Sequence, residues 1–363
     1  MRLPGLIDPH VHMREPGAAY KEDWDSGTAA ALAGGFTMLL AMPNTNPPVV
    51  DAHSLALVQA AARQKARCDY GLYLGAGPDN TVWDPRLVRQ SAGLKMYLDK
   101  TYGPLRLDDM LLWAAHLSNW PRRSGASRRP IAVHAEGRTL AAAILLASLN
   151  RRPLHLCHVS RRDEIMLIRA AKERGLKITC EVTPHHLFLT EKDAPAIGPG
   201  RCEVRPDLAV PADRDALWEN LAVIDVFATD HAPHTLAEKD GKNPPPGFPG
   251  LETALPLFLT AVSEGRLSLD DLVLRMVTNP RRIFGLPDQP ETWIEIDPAA
   301  RSEIRASQTY TRCAWTPFEG RQVTGRLEKV VLRGREAYAH GQVLAAPGSG
   351  QDIRQIHDRS QFK

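Results

Sequence analysis

Gly5-Leu6-Ile7-Asp8-Pro9-His10-Val11-His12 reads as a short apolar strand in which alternate positions change from aliphatic to metal-binding. Strand side chains alternate between two faces, so Asp8, His10 and His12 share one. Two imidazoles on one face of a strand can reach a single cation, and imidazole suits zinc, iron, nickel or copper. The plain alternative is a strand end with solvated or hydrogen-bonded polar side chains. The rest of the chain decides.

Outward from this strand, the chain alternates apolar runs with helical patterns. Residues 36–42, 70–74, 93–97, 131–135, 154–159, 177–183 and 223–229 read as seven more strands. Helices are expected over 22–32, 52–66, 85–91, 107–117, 140–149, 164–174 and 212–221. The first closes at Gly34-Gly35, and no helix could cross Pro43-Asn44-Thr45-Asn46-Pro47-Pro48. Strands that are nearly all apolar belong to a parallel sheet buried on both faces. Eight of them, joined by helices, close into a (β/α)8 TIM barrel.

Proline and glycine then punctuate 243–250, and two helices are expected near 252–263 and 269–278. Beyond them, 293–296, 323–326 and 329–332 alternate or run apolar, a small β appendage formed by the C-terminal segment. The expected division is a barrel over 1–285, a β subdomain over 286–346 and a polar, mobile tail over 347–363. Arg122, Arg123, Arg128 and Arg129 read as a solvated basic loop.

Composition sets the class. The chain has 363 residues, 43% hydrophobic and 24% charged, enough for a sizeable core. A net charge of +3 gives no case for nucleic acid or a membrane surface as partner. Cys68, Cys157, Cys180, Cys202 and Cys313 show no paired spacing, which suits a reducing compartment. No signal peptide or membrane-length apolar run is seen, so a cytoplasmic enzyme is expected.

In such a barrel, chemistry sits at the carboxyl ends of the strands. There the sequence places His10 and His12, Lys95, His134, His158, Glu181 and Asp230. A single buried histidine is usually a satisfied core residue. Ligand-type or cationic side chains on six strands, all aimed at one mouth, argue for metal. Lys95 is the odd member, because an ammonium has no lone pair to give. Among cations it would tend to lose its proton, and the amine could take up carbon dioxide as a carbamate bridging two metals. The alternative pairs Lys95 with Asp230 or Glu181.

Longer motifs then carry a resemblance. They are His10-Val11-His12-x-Arg14-Glu15-Pro16-Gly17, Ala41-Met42-Pro43-Asn44-Thr45, Gly93-Leu94-Lys95, Val133-His134-Ala135-Glu136 and Cys157-His158-Val159. Cys180 to Leu187, Glu203-Val204-Arg205-Pro206, Thr229 to His234, Phe248 to Thr253 and Trp315-Thr316-Pro317-Phe318 extend them. Over nearly its whole length the chain resembles the dihydroorotases of the amidohydrolase superfamily, above all the domain within the animal multifunctional protein of pyrimidine synthesis.

That resemblance implies one zinc on His10, His12, carbamylated Lys95 and Asp230, and a second on the carbamate with His134 and His158. It also implies a third site, in which Cys157 and Glu181 reach a zinc beside His10. Strict alternation puts Cys157 on the opposite face from His158, so this site needs a local twist. The implied reaction is the reversible cyclisation of N-carbamoyl-L-aspartate to L-dihydroorotate by a metal-bridging hydroxide, with Asp230 as proton shuttle.

Arg14, Asn44 and His234 would hold the substrate carboxylate, and Arg205, Pro246 and Gly247 would line the ring. Thr101 and Tyr102 would belong to a loop that folds over the site. Phenylalanine is expected beside the threonine in the animal enzymes; Tyr102 departs from that by a hydroxyl needing water or a partner. The resemblance further implies a homodimer and neighbouring carbamoyl-phosphate synthetase and aspartate transcarbamoylase domains. The abrupt start at a barrel strand likewise suggests a module of a longer chain. Two other readings stand beside this one: a hydantoinase or allantoinase acting on another cyclic ureide, and a metal-free scaffold relative.

Overall fold

The computed structural model describes residues 1–122 and 129–355. Arg123 and Arg128 of the basic loop lie outside the described residues. Eight parallel strands pair in chain order: Leu6–Val11, Phe36–Ala41, Asp69–Gly75, Gly93–Tyr97, Ile131–His134, Leu154–Leu156, Ile178–Val182 and Val226–Phe227. The ring closes where the His12 amide donates to the His231 carbonyl at 2.8 Å, beside a parallel bridge between Val11 and His231. The first strand is therefore a neighbour of the last, which brings the His-x-His pair against Asp230.

The helices around the ring form where capping side chains allow. Asp23, Asp51, Asp84 and Asp109 each accept from a backbone N–H in the first turn of the helix they open, satisfying donors that have no partner inside it. The first helix, Trp24–Ala33, ends at Gly34 for a packing reason. A β-carbon there would stand 2.1 Å from the Leu251 carbonyl oxygen at the start of Leu251–Ser263.

Two strands are shorter than expected. The sixth stops at Leu156 and the eighth at Phe227, because the chain beyond each bends to deliver a side chain to the mouth. His158 (φ 34°) and Asp230 (φ 47°) hold left-handed backbone that no ladder accommodates. The expected helix over 269–278 becomes Leu269–Val273 followed by a wider π-type turn, Leu274–Thr278. A further helix, Asn279–Phe284, continues from it and was not foreseen.

The β appendage exists but is not made by the C-terminal segment alone. Its five antiparallel strands are Arg2–Pro4, Trp293–Glu303, Gln322–Leu332, Arg335–Ala339 and Gln342–Val343, in that order across the sheet. The edge strand Arg2–Pro4 is one residue away from the first barrel strand, so the two sheets are joined through Gly5.

The tail over 347–363 is corrected for the part described. Asp352 bridges to Tyr70, and Ile353 is buried against Leu40 and Gly71. The Arg354 guanidinium donates to the carbonyls of Phe284 and Gly285 at 2.8 Å and of Ser91 at 3.2 Å. One aliphatic side chain and one multiply bonded arginine are enough to seat an otherwise polar segment. Among the described residues no helix is long and apolar enough to cross a membrane. Ile353→Ala should therefore cost about 2–5 kcal/mol of unfolding free energy, as other buried isoleucine truncations do. An unchanged denaturant midpoint would mean that the segment is not part of the folded unit.

Candidate metal centre

His10 is the hub. Its Nδ1 hydrogen-bonds Glu181 Oε1, and its Nε2 lies 3.2 Å from Asp230 Oδ1. His12 Nε2 reaches the same Asp230 oxygen at 3.1 Å. Two groups of buried donors can each surround an ion: His10, His12 and Asp230, and His10, Cys157 and Glu181, with ligand atoms all within 4.8 Å of one another. Lys95 is fully buried, and its Nζ donates to Cys157 Sγ at 2.9 Å.

His134 and His158 form a second cluster. His134 Nδ1 and His158 Nε2 stand 2.9 Å apart; His134 Nε2 has Glu136 Oε1 at 3.3 Å, and His158 Nδ1 has no hydrogen-bond partner. The twist that Cys157 needed is supplied by the left-handed His158. It reverses the alternation, so 157 and 158 both serve the mouth.

The electrostatics ask for a cation. Burial and Lys95 push the His10 imidazolium down, but Asp230, Glu181 and Cys157 overcome both and raise it to about 10. Burial opposes charge on Asp230 and Glu181 as well, yet the facing histidines hold both carboxyls well below the usual range. Burial pushes His134 and His158 down, leaving neutral rings with free lone pairs. The carboxylates of Asp230 and Glu181 with the imidazoles of His10 and His12 form a donor set that fits zinc once His10 gives up its proton, and His158 Nδ1 is left without a partner of its own.

Around this acidic centre lies a basic collar. Arg14, itself left-handed (φ 58°), is buried and donates through Nε to the Pro233 carbonyl at 3.1 Å. The Lys21 ammonium, 3.1 Å from His234 Nδ1, can only donate, so that nitrogen is the acceptor. His234 Nε2 then carries the proton and donates to the Pro246 carbonyl at 3.1 Å. Arg14 Nη2, 3.0 Å from that nitrogen, gains no acceptor there, and Nη1 has no partner at all. Burial and the charges on Arg14 and Lys21 keep His234 neutral. Two unsatisfied guanidinium nitrogens in a buried pocket suit a carboxylate.

Tyr102 completes the collar. Its ring lies between Arg14 (4.9 Å) and Lys21 (4.7 Å) and meets His234 edge-on. Its hydroxyl, the expected liability, accepts from Lys21 at 3.2 Å. Thr101 beside it is half-buried. Asn44 is engaged at both ends, its oxygen with His12 Nδ1 at 2.6 Å and its nitrogen donating to the Tyr102 carbonyl at 3.0 Å. It steadies a histidine as much as it faces the collar. Gly247 must be glycine: at φ 144° a β-carbon would stand 2.5 Å from the Ala232 carbonyl oxygen. Arg205 is not brought into the collar; it forks to Asp207 and the Val204 carbonyl and lies 3.6 Å from Glu203.

Several residues escaped the sequence reading. His155 bridges Thr179 Oγ1 (2.9 Å) and Glu181 Oε2 (3.0 Å) and so fixes the carboxylate that faces His10. Its spacing of two from Cys157 was the available signal. Lys21 and Lys239 left none: each is an isolated lysine whose burial only the fold decides. Lys239 donates to the carbonyls of Glu203, Pro245 and Gly247, pinning the loop against the collar. His185 is buried beside the centre with Nε2 unpartnered.

Comparison with known proteins follows this geometry. Residues 1–77 match a family model described as dihydro-orotase-like. The chain is 56% identical over 98% of its length to the multifunctional protein CAD of Squalus acanthias, but spans only 16% of that protein. It is 34% identical to a dihydroorotase of Pyrococcus furiosus, covering 95% of this chain and 83% of the relative. Among solved structures, an L-hydantoinase from Arthrobacter aurescens superposes with a TM-score of 0.90 at 26% identity, over 97% of this chain and 88% of that one. An inactive dihydroorotase-like domain of the Chaetomium thermophilum CAD-like protein gives 0.82 at 31% identity, over 97% and 99%. Through relatives that it matches along most of their own length, the chain belongs to the dihydroorotase family.

Proposed function

We propose that the chain is an active, zinc-dependent dihydroorotase, interconverting N-carbamoyl-L-aspartate and L-dihydroorotate in pyrimidine synthesis. The observation that carries the reading is the buried Arg14, with two nitrogens lacking acceptors, set in the same mouth as the intact donor clusters. A cyclic ureide without a carboxylate would leave that charge uncompensated, which weighs against the hydantoinase reading. A scaffold has no use for every donor at once, which weighs against the metal-free one.

His10, His12 and Asp230 would hold one ion, His134 and His158 a second, with carbamylated Lys95 between them, and Cys157 with Glu181 a third beside His10. When bound, such ions would supply Lewis acidity to the amide carbonyl and to a water. The side chains do the rest. Arg14 would orient the ring through its carboxylate, with neutral His234 packed beside it and engaged by Lys21 and the Pro246 carbonyl, while Tyr102 and Thr101 cover the ring. Asp230 Oδ1 is fixed by the two histidines, which leaves Oδ2 to take the proton of the attacking water and return it to the ring nitrogen. Pro246 and Gly247 would form the outer wall, and Arg205 would join it only by leaving Asp207. We further propose neighbouring carbamoyl-phosphate synthetase and aspartate transcarbamoylase domains, a homodimer and a cytoplasmic setting; matches to multifunctional proteins support the presence of neighbouring domains.

The test is a panel of dihydroorotate, N-carbamoyl-aspartate, dihydrouracil and hydantoin, assayed with metal-loaded protein. Turnover of the carboxylated pair alone is expected; equal turnover of the uncharged rings would overturn the assignment. Arg14→Ala should raise KM for dihydroorotate by about 10²-fold or more, as removal of a charged hydrogen-bonding partner does. Asp230→Asn should lower kcat by roughly 10²–10⁴ with the fold intact, because asparagine also accepts left-handed backbone. Normal turnover at saturation would remove the proton shuttle. Lys95→Ala should lose activity together with at least one equivalent of metal by elemental analysis, and a full metal complement would exclude the bridge.

A further inference from the structure

The other end of the barrel holds a second polar cavity that the chemistry at the mouth does not use. Ile131, Leu154 and Ile178, the first residues of three successive barrel strands, line it, so it opens at the amino-terminal face. Its volume is about 520 Å3, within the range of small-molecule sites. The walls carry Arg122, Arg129, Arg152, Lys177 and Arg282, and among the described lining residues none is acidic. Five positive charges meet in one cavity of a chain whose net charge is only +3.

These cations are not used up by carboxylates. Arg281, next to Arg282 in sequence but outside the cavity lining, has Asp288 at 3.3 Å, the ordinary arrangement for a surface arginine. Arg122 and Arg152 instead donate to backbone carbonyls, which fixes their positions without neutralising their charge. Arg129 gives one bond, Nη2 to the Arg89 carbonyl at 3.2 Å. Its Nε and Nη1 are closed off from solvent with no partner. Lys177 is exposed at the rim. Between the cations the walls are mostly apolar, broken by His155 and Thr179, with Trp120 held by an indole bond to the Arg129 carbonyl at 2.9 Å.

We propose that this cavity is a binding site for a small phosphate monoester carrying a planar apolar group. The dianion is held by the charges of Lys177, Arg122 and Arg129 in the walls, and the ring lies on the apolar wall. Several uncompensated cations favour a dianion over a single carboxylate, and guanidinium donors match phosphate oxygens in pairs. The site opens at the face opposite the mouth, and one of its lining residues, His155, reaches Glu181 at 3.0 Å, so a single side chain stands between the two.

The experiment titrates phenyl phosphate into the full-length metal-loaded chain by calorimetry, with phenol as the uncharged control. One saturable site per chain is expected for phenyl phosphate and none for phenol. Lys177→Glu and Arg129→Ala should each weaken binding by about tenfold or more, with turnover at the mouth unchanged. Lys177 is exposed, so its variant keeps the test decisive should Arg129→Ala fail to fold. Absence of saturable binding would overturn the proposal. So would equal affinity in both folded variants, or displacement of the probe by dihydroorotate, which would place it at the mouth.

Discussion

Everything at the mouth depends on one electrostatic constraint: carboxylates from two strands are buried around a single imidazole. Asp230 and Glu181 both stay ionised where burial alone would protonate them, and His10 takes up the positive charge that keeps them so. Such an arrangement is costly unless a cation sits within it. The barrel makes it affordable by closure, since the first strand brings His10 and His12 beside the end of the eighth. The antiparallel sheet then holds that first strand from the other side through Arg2–Pro4.

The mouth is divided by charge. Its centre gathers carboxylates and imidazoles around Lys95, and its rim carries Arg14 and Lys21, the latter paired with Glu238 at 2.8 Å. Neutral His234 between them keeps two cations in one pocket without adding a third. Tyr102 serves the same end, since its ring faces both positive groups and its hydroxyl accepts from one of them. A ligand with a carboxylate at one end and a polarisable amide at the other matches this division, which is why substrate class can be argued from the rim more firmly than from the centre.

Much of this was legible before any coordinates. Eight apolar runs separated by helical patterns specify a barrel, because period and length are local properties of the chain. The donor residues were legible for the same reason, as polar exceptions at the ends of those runs. What escaped depended on long-range packing or unusual backbone. Nothing local marks Arg2–Pro4 as an edge strand for residues nearly three hundred positions away. Ile353 looked like one aliphatic residue in a polar tail, and Lys239 like a surface lysine. Strict alternation misplaced Cys157 relative to His158, because one left-handed residue inverts the count. His155 could have been found from its spacing to Cys157, but only the fold shows that it works through Glu181.

Arg14, His158 and Asp230 share the left-handed backbone described above, and this shapes how the protein can change over generations. At such positions glycine and asparagine are well tolerated sterically, whereas valine, isoleucine and threonine are resisted. The substitutions the backbone accepts most readily are therefore ones that erase the chemistry while sparing the barrel. Drift at these three sites leads first to a folded, silent descendant rather than to an unfolded one. Selection on foldedness alone cannot preserve this mouth; only selection on the reaction can.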